Sequence, residues 1–323
     1  MNTIGGFLPL EVQTMPGREP CHAGAAALSS GRGAFHAILR TARPRRVLLP
    51  FYICDAMLSP LAASRTPHEL YAIDDRFMPA RPLEPADGEL AVVVNYFGVL
   101  APFAARESER LGARAAIDDT QAFFRRGASR RWSFNSARKF FGVPDGAFLY
   151  GPIADAEALP ASDVGDCAHL VARLEARDAD AAWALFKQHE ARIGIEPQRI
   201  SAVSERLLAA ADLECARRRR ETNFLLLHDA LGGANAIGLP LADAAADGPM
   251  CYPFLARADV DRDRLARAGV FVPALWPEIG ARSGSEFAWE RQVARRLLPL
   301  PIDHRYGAAE METLVRRLRQ VIG

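Results

Sequence analysis

Lysine occurs only twice in this chain, at Lys139 and Lys187, although lysine and arginine together number 40. Lys139 stands in Arg131-Trp132-Ser133-Phe134-Asn135-Ser136-Ala137-Arg138-Lys139-Phe140-Phe141-Gly142-Val143-Pro144-Asp145-Gly146, an apolar stretch beside a turn. Arginine stays protonated in proteins, whereas a desolvated lysine can lose its proton and attack a carbonyl carbon. An amine kept in a chain otherwise given over to arginine marks Lys139 as a candidate nucleophile, with a residual surface lysine as the alternative. Three further polar features could act with it. Ser29-Ser30-Gly31-Arg32-Gly33-Ala34 is a small-residue turn running into a helix. It is either an ordinary N-cap or, through its backbone N–H groups, a seat for an anion such as phosphate. It is not a dinucleotide fingerprint, because His36 stands where the third glycine belongs. Val92-Val93-Val94-Asn95 is a buried strand ending in an amide, and Asp118-Asp119-Thr120-Gln121 places carboxylates at the end of another. A carboxylate there can bind a metal, cap a helix or pair with a protonated heterocyclic nitrogen; no histidine is near, so a metal site is the weakest of the three. Ser136 adds a hydroxyl three residues before the amine.

Positioning such groups is the work of strand ends, where ligands bind in open α/β sheets. Short apolar runs at Val47 to Pro50, His68 to Ile73, Leu90 to Tyr96, Ala115 to Ile117 and Ala147 to Tyr150 read as strands. Helical patterns over Gly33 to Ala42 and Ala101 to Leu111 lie between them, which argues for an α/β domain with a mainly parallel sheet and helices on both faces. From about Asp178 to Leu231 the pattern is helical, with one long helix expected over Ser201 to Leu231. Met250 to Leu255 and Val270 to Pro273 read as strands of a smaller C-terminal α/β domain, with helices over Asp259 to Ala268 and Ala308 to Ile322. The expected division is an N-terminal arm over 1–25, a large domain over 26–215 and a small domain over 216–323.

At 323 residues and 50% hydrophobic, the chain can bury a large core. Basic and acidic residues nearly cancel at 40 against 39, so no global field favours nucleic acid or a membrane, and Arg217 to Arg220 reads as a solvated helix face. The five cysteines are scattered, without metal-ligand spacing, and read as reduced core thiols of a cytoplasmic protein. Neither a signal segment nor an apolar run of membrane-spanning length is visible.

An anion-binding turn, an amide, a carboxylate and a serine-flanked lysine, in that order on successive strands, are what pyridoxal 5'-phosphate (PLP) requires. The sequence resembles the fold-type-I PLP enzymes and, more narrowly, a short branch of the DegT/DnrJ/EryC1/StrS sugar aminotransferases. The resemblance runs through Ile4-Gly5-Gly6-Phe7, Leu10-Glu11, Ser30-Gly31-Arg32, Leu49 to Asp55, Asn95-Tyr96-Phe97-Gly98, Asp118 to Phe124, Ser136 to Gly146 and Leu298-Pro299-Leu300-Pro301. It implies Lys139 as Schiff-base lysine and proton carrier, and Asp118 as partner of the pyridine nitrogen. Gln121, with Asn95 as a second candidate, would reach the 3'-oxygen. Ser136 and the backbone of Gly31, Arg32 and Gly33 would hold the phosphate, and an aromatic such as Tyr52 would stack on the ring. No metal is implied. The implied reaction moves an amino group from a donor such as glutamate to a keto sugar, nucleotide-linked, for surface polysaccharide or natural-product assembly. The implied assembly is a homodimer with shared active sites, in which Phe123-Phe124 and Phe140-Phe141 are buried either against the partner or in the chain's own core. Another PLP-dependent reaction on a non-sugar substrate, or a non-catalytic protein retaining the fold, are the alternatives. Lys139 disfavours the dehydratase branch, which carries histidine there. Departures from the family are the short chain, Gly31-Arg32 in place of a Gly-Thr turn, and Ser133-Phe134-Asn135 in place of Ser-Phe-His.

Overall fold

A computed structural model describes residues 11–12, 21–128, 130–153, 156–164, 167–176, 178–239 and 241–322. Most of the expected arm over 1–25, including Ile4-Gly5-Gly6-Phe7 and Leu10, lies outside the described residues. Seven strands, β1 (Ala26–Leu28), β2 (Arg46–Pro50), β3 (His68–Tyr71), β4 (Glu89–Val94), β5 (Ala115–Asp119), β6 (Trp132–Asn135) and β7 (Ala147–Tyr150), form one sheet in the order β1-β7-β6-β5-β4-β2-β3. The five strands from β6 to β3 pair in parallel, while β7 runs antiparallel to β6 and to β1. A parallel sheet must be covered on both faces, and every residue of β4 is buried accordingly. Among the covering elements are α1 (Gly31–Ala42), α2 (Leu58–Ser64) and α3 (Ala101–Leu111). Helix α1 starts where the Ser30 side chain accepts from Gly33 N and ends at Arg43 in the left-handed region, with φ 46°. It buries Phe35, Ile38 and Leu39, each worth about 1.5–3 kcal/mol relative to exposure.

The second half begins with α4 (Ala168–Leu174), α5 (Ala179–Arg192), α6 (Ala202–Ala210) and α7 (Leu213–Leu231). The helix expected over Ser201 to Leu231 is thus two helices. Ala211 is extended at φ −73° and ψ 136°, and Asp212 caps the restart by accepting from Cys215 N at 3.0 Å. Beyond α7 come β8 (Cys251–Leu255), α8 (Arg262–Arg267), α9 (Ala288–Arg296), β9 (Leu297–Pro301) and α10 (Ala308–Ile322). Val270 to Pro273 is not a strand; β9 pairs with β8 instead, antiparallel over five residues. Pro253, Pro299 and Pro301 all fall on alternate rungs of that ladder, with Pro253 opposite Pro299. Proline cannot donate, so these are the rungs whose N–H groups are not exchanged between strands. Helix α10 closes the fold with Met311, Leu314, Val315 and Leu318 buried at helical spacing.

One continuous apolar cluster runs from the large sheet through Phe224 and Leu227 of α7 to Tyr252, Leu298 and Leu318. A second one gathers Phe123, Phe140, Phe148, Ile200 and Leu208. Phe123 and Phe140 are therefore core residues of the single chain, with Phe124 and Phe141 half-buried beside them. The arginine run is not a uniform solvated face. Arg220 is 1% exposed, lies over the Phe140 ring and donates to the carbonyls of Pro249, Met250 and Phe140. Burial lowers its pKa to about 10. Of the cysteines only Cys251 is buried; Cys21, Cys54 and Cys167 are half-buried and Cys215 is exposed, which corrects the reading of all five as core thiols.

Candidate active site

Asp118 and Asp119 close β5, whose register sets Asp118 beside Val94 of β4 and Phe134 of β6. Successive strand side chains point to opposite faces, so the two carboxylates serve different surroundings. Asp119 accepts from Asn95 Nδ2 at 2.9 Å and pairs with Arg125, and its burial pushes the carboxyl up to about 6 against the pull of that guanidinium. Asp118, 4% exposed, accepts from Thr120 N at 2.9 Å through Oδ1. Its Oδ2 has no hydrogen-bond partner among the described residues.

Lys139 ends a single helical turn, Ala137–Lys139, immediately after β6 and Ser136. The side chain is exposed, which corrects the expectation of a desolvated amine in the chain as it stands, and Nζ donates to Thr120 Oγ1 at 2.9 Å. Ser136 is 7% exposed, yet its Oγ has no partner among the described residues. The turn is held from behind. Ala137 N donates to Gly146 O at 3.0 Å, and Gly146 N donates to Ser29 O at 2.7 Å, which ties the lysine turn to the residue before the α1 cap. Gly146 sits at φ +132° with Ala137 Cβ 3.2 Å from where its own Cβ would be, so only glycine fits. Asp145 anchors the same loop to α6, accepting from Ser201 N and from the hydroxyls of Ser201 and Ser204.

At the start of α1, Gly33 N–H is already taken by Ser30 Oγ, which leaves the Gly31 and Arg32 amides as the donors at the helix N-terminus. The Arg32 guanidinium turns away, donating to Ile193 O at 2.9 Å and lying 3.8 Å from Glu190. Gln121, 2% exposed, accepts from Phe97 N at 2.6 Å. Asn95 and Tyr52, both expected at the cofactor, have their polar atoms committed elsewhere. Asn95 donates to Asp119 and accepts from Leu100 N at 2.8 Å, which makes it a brace between β4 and β5. The Tyr52 hydroxyl donates to Leu275 O, its ring packs on Tyr96 and Trp276, and burial pushes its pKa up. Lys139, Asp118 and the α1 N-terminus come together around Thr120, with Ser136 just after the adjacent end of β6, while Asn95 and Tyr52 support the neighbouring wall.

Sequence reading missed three residues here. Thr120 lies between the two motif residues Asp118 and Gln121, and its Oγ1 is the one partner of the lysine amine among the described residues. Cys54 feels the charges of both Lys139 and Asp118, and burial pushes its thiol up. His22, 4% exposed, bonds to Tyr150 Oη at 2.8 Å and to Asn135 Nδ2 at 3.2 Å, while Asn135 Oδ1 accepts from Phe148 N at 3.0 Å, so Asn135 braces the wall. Burial lowers the His22 pKa to about 4. The surface hollows bounded by Asp212 and Arg218, and by Ala27 and Arg199, contain none of these side chains. Among the described residues no group of three His, Cys, Asp or Glu could hold a metal, and no helix is long and apolar enough to cross a membrane.

The fold is shared with several solved structures. A DegT DnrJ EryC1 StrS aminotransferase from Brucella abortus superposes with TM-score 0.63 at 17% identity, over 93% of this chain and 86% of that one. The sugar aminotransferase CalS13 from Micromonospora echinospora matches with TM-score 0.63 at 15% identity, over 97% and 100%. DesV from S. venezuelae, in complex with a ketimine intermediate, matches with TM-score 0.59 at 17% identity, over 92% and 84%. No protein-family model and no curated protein sequence matches the chain. The mixed α/β architecture, with its mostly parallel seven-stranded sheet, is that of the fold-type-I aminotransferases.

Proposed function

We propose that this chain is a PLP-dependent aminotransferase of the DegT/DnrJ/EryC1/StrS kind, moving an amino group from glutamate to the keto group of a nucleotide-linked sugar in surface polysaccharide or natural-product assembly. The observation that carries the reading is the convergence of Lys139, Asp118 and Ser136 at adjacent strand ends within a fold shared with solved sugar aminotransferases. The residues present suit the cofactor. Among the described residues the hydroxyl of buried Ser136 and Oδ2 of Asp118 have no partner, and the Gly31 and Arg32 amides open the α1 N-terminus.

Bound PLP supplies an aldehyde carbon and an electron-accepting ring. Asp118 would hold a protonated ring nitrogen by a charge-assisted hydrogen bond, and Ser136 Oγ with the Gly31 and Arg32 N–H groups would hold the phosphate. Gln121, fixed by Phe97 N, is the candidate for the 3'-oxygen. Lys139 Nζ would carry the cofactor and act as the base that takes up and returns the proton at the substrate carbon bearing the amino group. A division into an arm over 1–25, a cofactor domain over 26–215 and a small domain over 216–323 belongs to this reading, as do a homodimer and a cytoplasmic location. The half-buried Phe124 and Phe141 are the aromatic surface that a partner subunit would cover.

Absorbance of the PLP-loaded protein tests the reading. Glutamate should convert the cofactor band to that of the aminated form, and a keto sugar should restore it. A loaded protein whose spectrum ignores glutamate contradicts the donor, and a protein that retains no PLP contradicts the function.

A further inference from the structure

We propose that Thr120 is a positioning residue for Lys139, its hydroxyl holding the amine at the strand end in line with Asp118; this rests on the function proposed above. Three contacts meet in this one half-buried residue. Its N–H donates to Asp118 Oδ1 at 2.9 Å and fixes that carboxylate. Its Oγ1 accepts from Lys139 Nζ at 2.9 Å, and Nζ has no other partner among the described residues. Its Cγ2 lies 3.1 Å from where a Cβ on Gly31 would stand, so the methyl closes against the first residue of α1.

The three contacts divide between backbone, hydroxyl and methyl, and only the hydroxyl reaches the lysine. Any residue but proline at 120 could supply the N–H for Asp118; serine could replace the hydroxyl, and valine the methyl. Lys139 is otherwise an exposed amine on a flexible four-carbon stem. The Thr120 acceptor reduces the volume it samples to the space beside Asp118, and a fixed approach of nucleophile to carbonyl carbon is worth large factors in rate. A ring held at its nitrogen by Asp118 would meet the amine already in place.

The presence of only two lysines makes the test direct. The whole protein, free of added cofactor, is methylated with formaldehyde and a mild hydride donor, and the ratio of label on Lys139 to label on exposed Lys187 is read by peptide mass spectrometry. Thr120→Val, which keeps the methyl shape and loses the acceptor, should raise that ratio about threefold, the effect of losing one modest hydrogen bond. Thr120→Ser should stay near the parent, and Thr120→Ala provides a second variant without the acceptor should valine disturb folding. With PLP added, capture of Lys139 should slow about tenfold in Thr120→Val and recover in Thr120→Ser. An unchanged ratio in both variants lacking the hydroxyl, or serine behaving as valine does, overturns the proposal. A parent protein that never captures PLP on Lys139 defeats the proposed function instead, while the formaldehyde ratio still decides whether Thr120 holds the amine.

Discussion

Gly98→Ala should be among the most damaging single-methyl changes near the site. Gly98 adopts φ +81°, and a Cβ there would lie 2.4 Å from Gln121 O and 3.2 Å from Pro249 Cα. Both neighbours are backbone and both are held. The Gln121 side chain accepts from Phe97 N at 2.6 Å, and Met250 N donates to Phe97 O at 2.8 Å. The left-handed conformation costs alanine about 1–2 kcal/mol, and forcing a methyl into a packed site adds about 1–3 kcal/mol. Together they predict a loss of about 2–5 kcal/mol, read from urea unfolding monitored by tryptophan fluorescence, with PLP affinity falling because Gln121 must shift. Gly233→Ala is the control, since nothing lies within 4 Å of the added carbon, and should change stability by less than about 0.5 kcal/mol. Gly98→Ala within about 0.5 kcal/mol of the parent would refute the packing argument around Gln121.

Asp118→Asn should lower transamination about a hundredfold or more, because the ring nitrogen loses its charged partner, whereas Asp119→Asn, on the opposite strand face, should cost under about tenfold; steady-state rates with saturating PLP give the ranking, and the reverse order would reassign the carboxylate. His22 is neutral in the fold because burial lowers its pKa from 6.5 to about 4. The unfolded chain therefore binds more protons between those values, so this residue makes stability rise with pH across that window, by up to about 3 kcal/mol. In His22→Gln the pH slope of urea stability should fall by that contribution; an unchanged slope contradicts a neutral His22. Arg220→Leu should destabilise by about 3 kcal/mol or more, since the carbonyls of Pro249, Met250 and Phe140 lose a buried cationic donor; calorimetry showing a change under about 1 kcal/mol would contradict this.

Most strands of the large sheet were legible as short apolar runs, and β2, β3, β4, β5 and β7 lie within two residues of their expected ends, but β6, which leads into Ser136 and Lys139, was not among the expected strands. Strands without that signature were missed. β1 is Ala-Ala-Leu, with little β preference, and β9 carries two prolines that only a two-stranded sheet tolerates at those rungs. The break between α6 and α7 hinges on one capping contact of Asp212, which helical periodicity does not reveal. Arg217, Arg218 and Arg220 look alike in sequence, yet the first two pair with Glu214 while the third is turned beneath Phe140. Within the site, sequence order placed Lys139 and Asp118 on strand ends. It did not distinguish groups that face the cleft from those that brace it, because Asn95, Tyr52 and Asn135 carry the same polar atoms in either role. Those assignments depend on partners distant in the chain, Asp119, Leu275 and His22.

Borohydride reduction of the PLP-loaded protein followed by peptide mapping checks the proposed role of Lys139 as the residue that carries the cofactor. A stable pyridoxyl label is expected on Lys139, with Lys187 on the exposed face of α5 unlabelled. Label on Lys187, or retained PLP without label on Lys139, would contradict it.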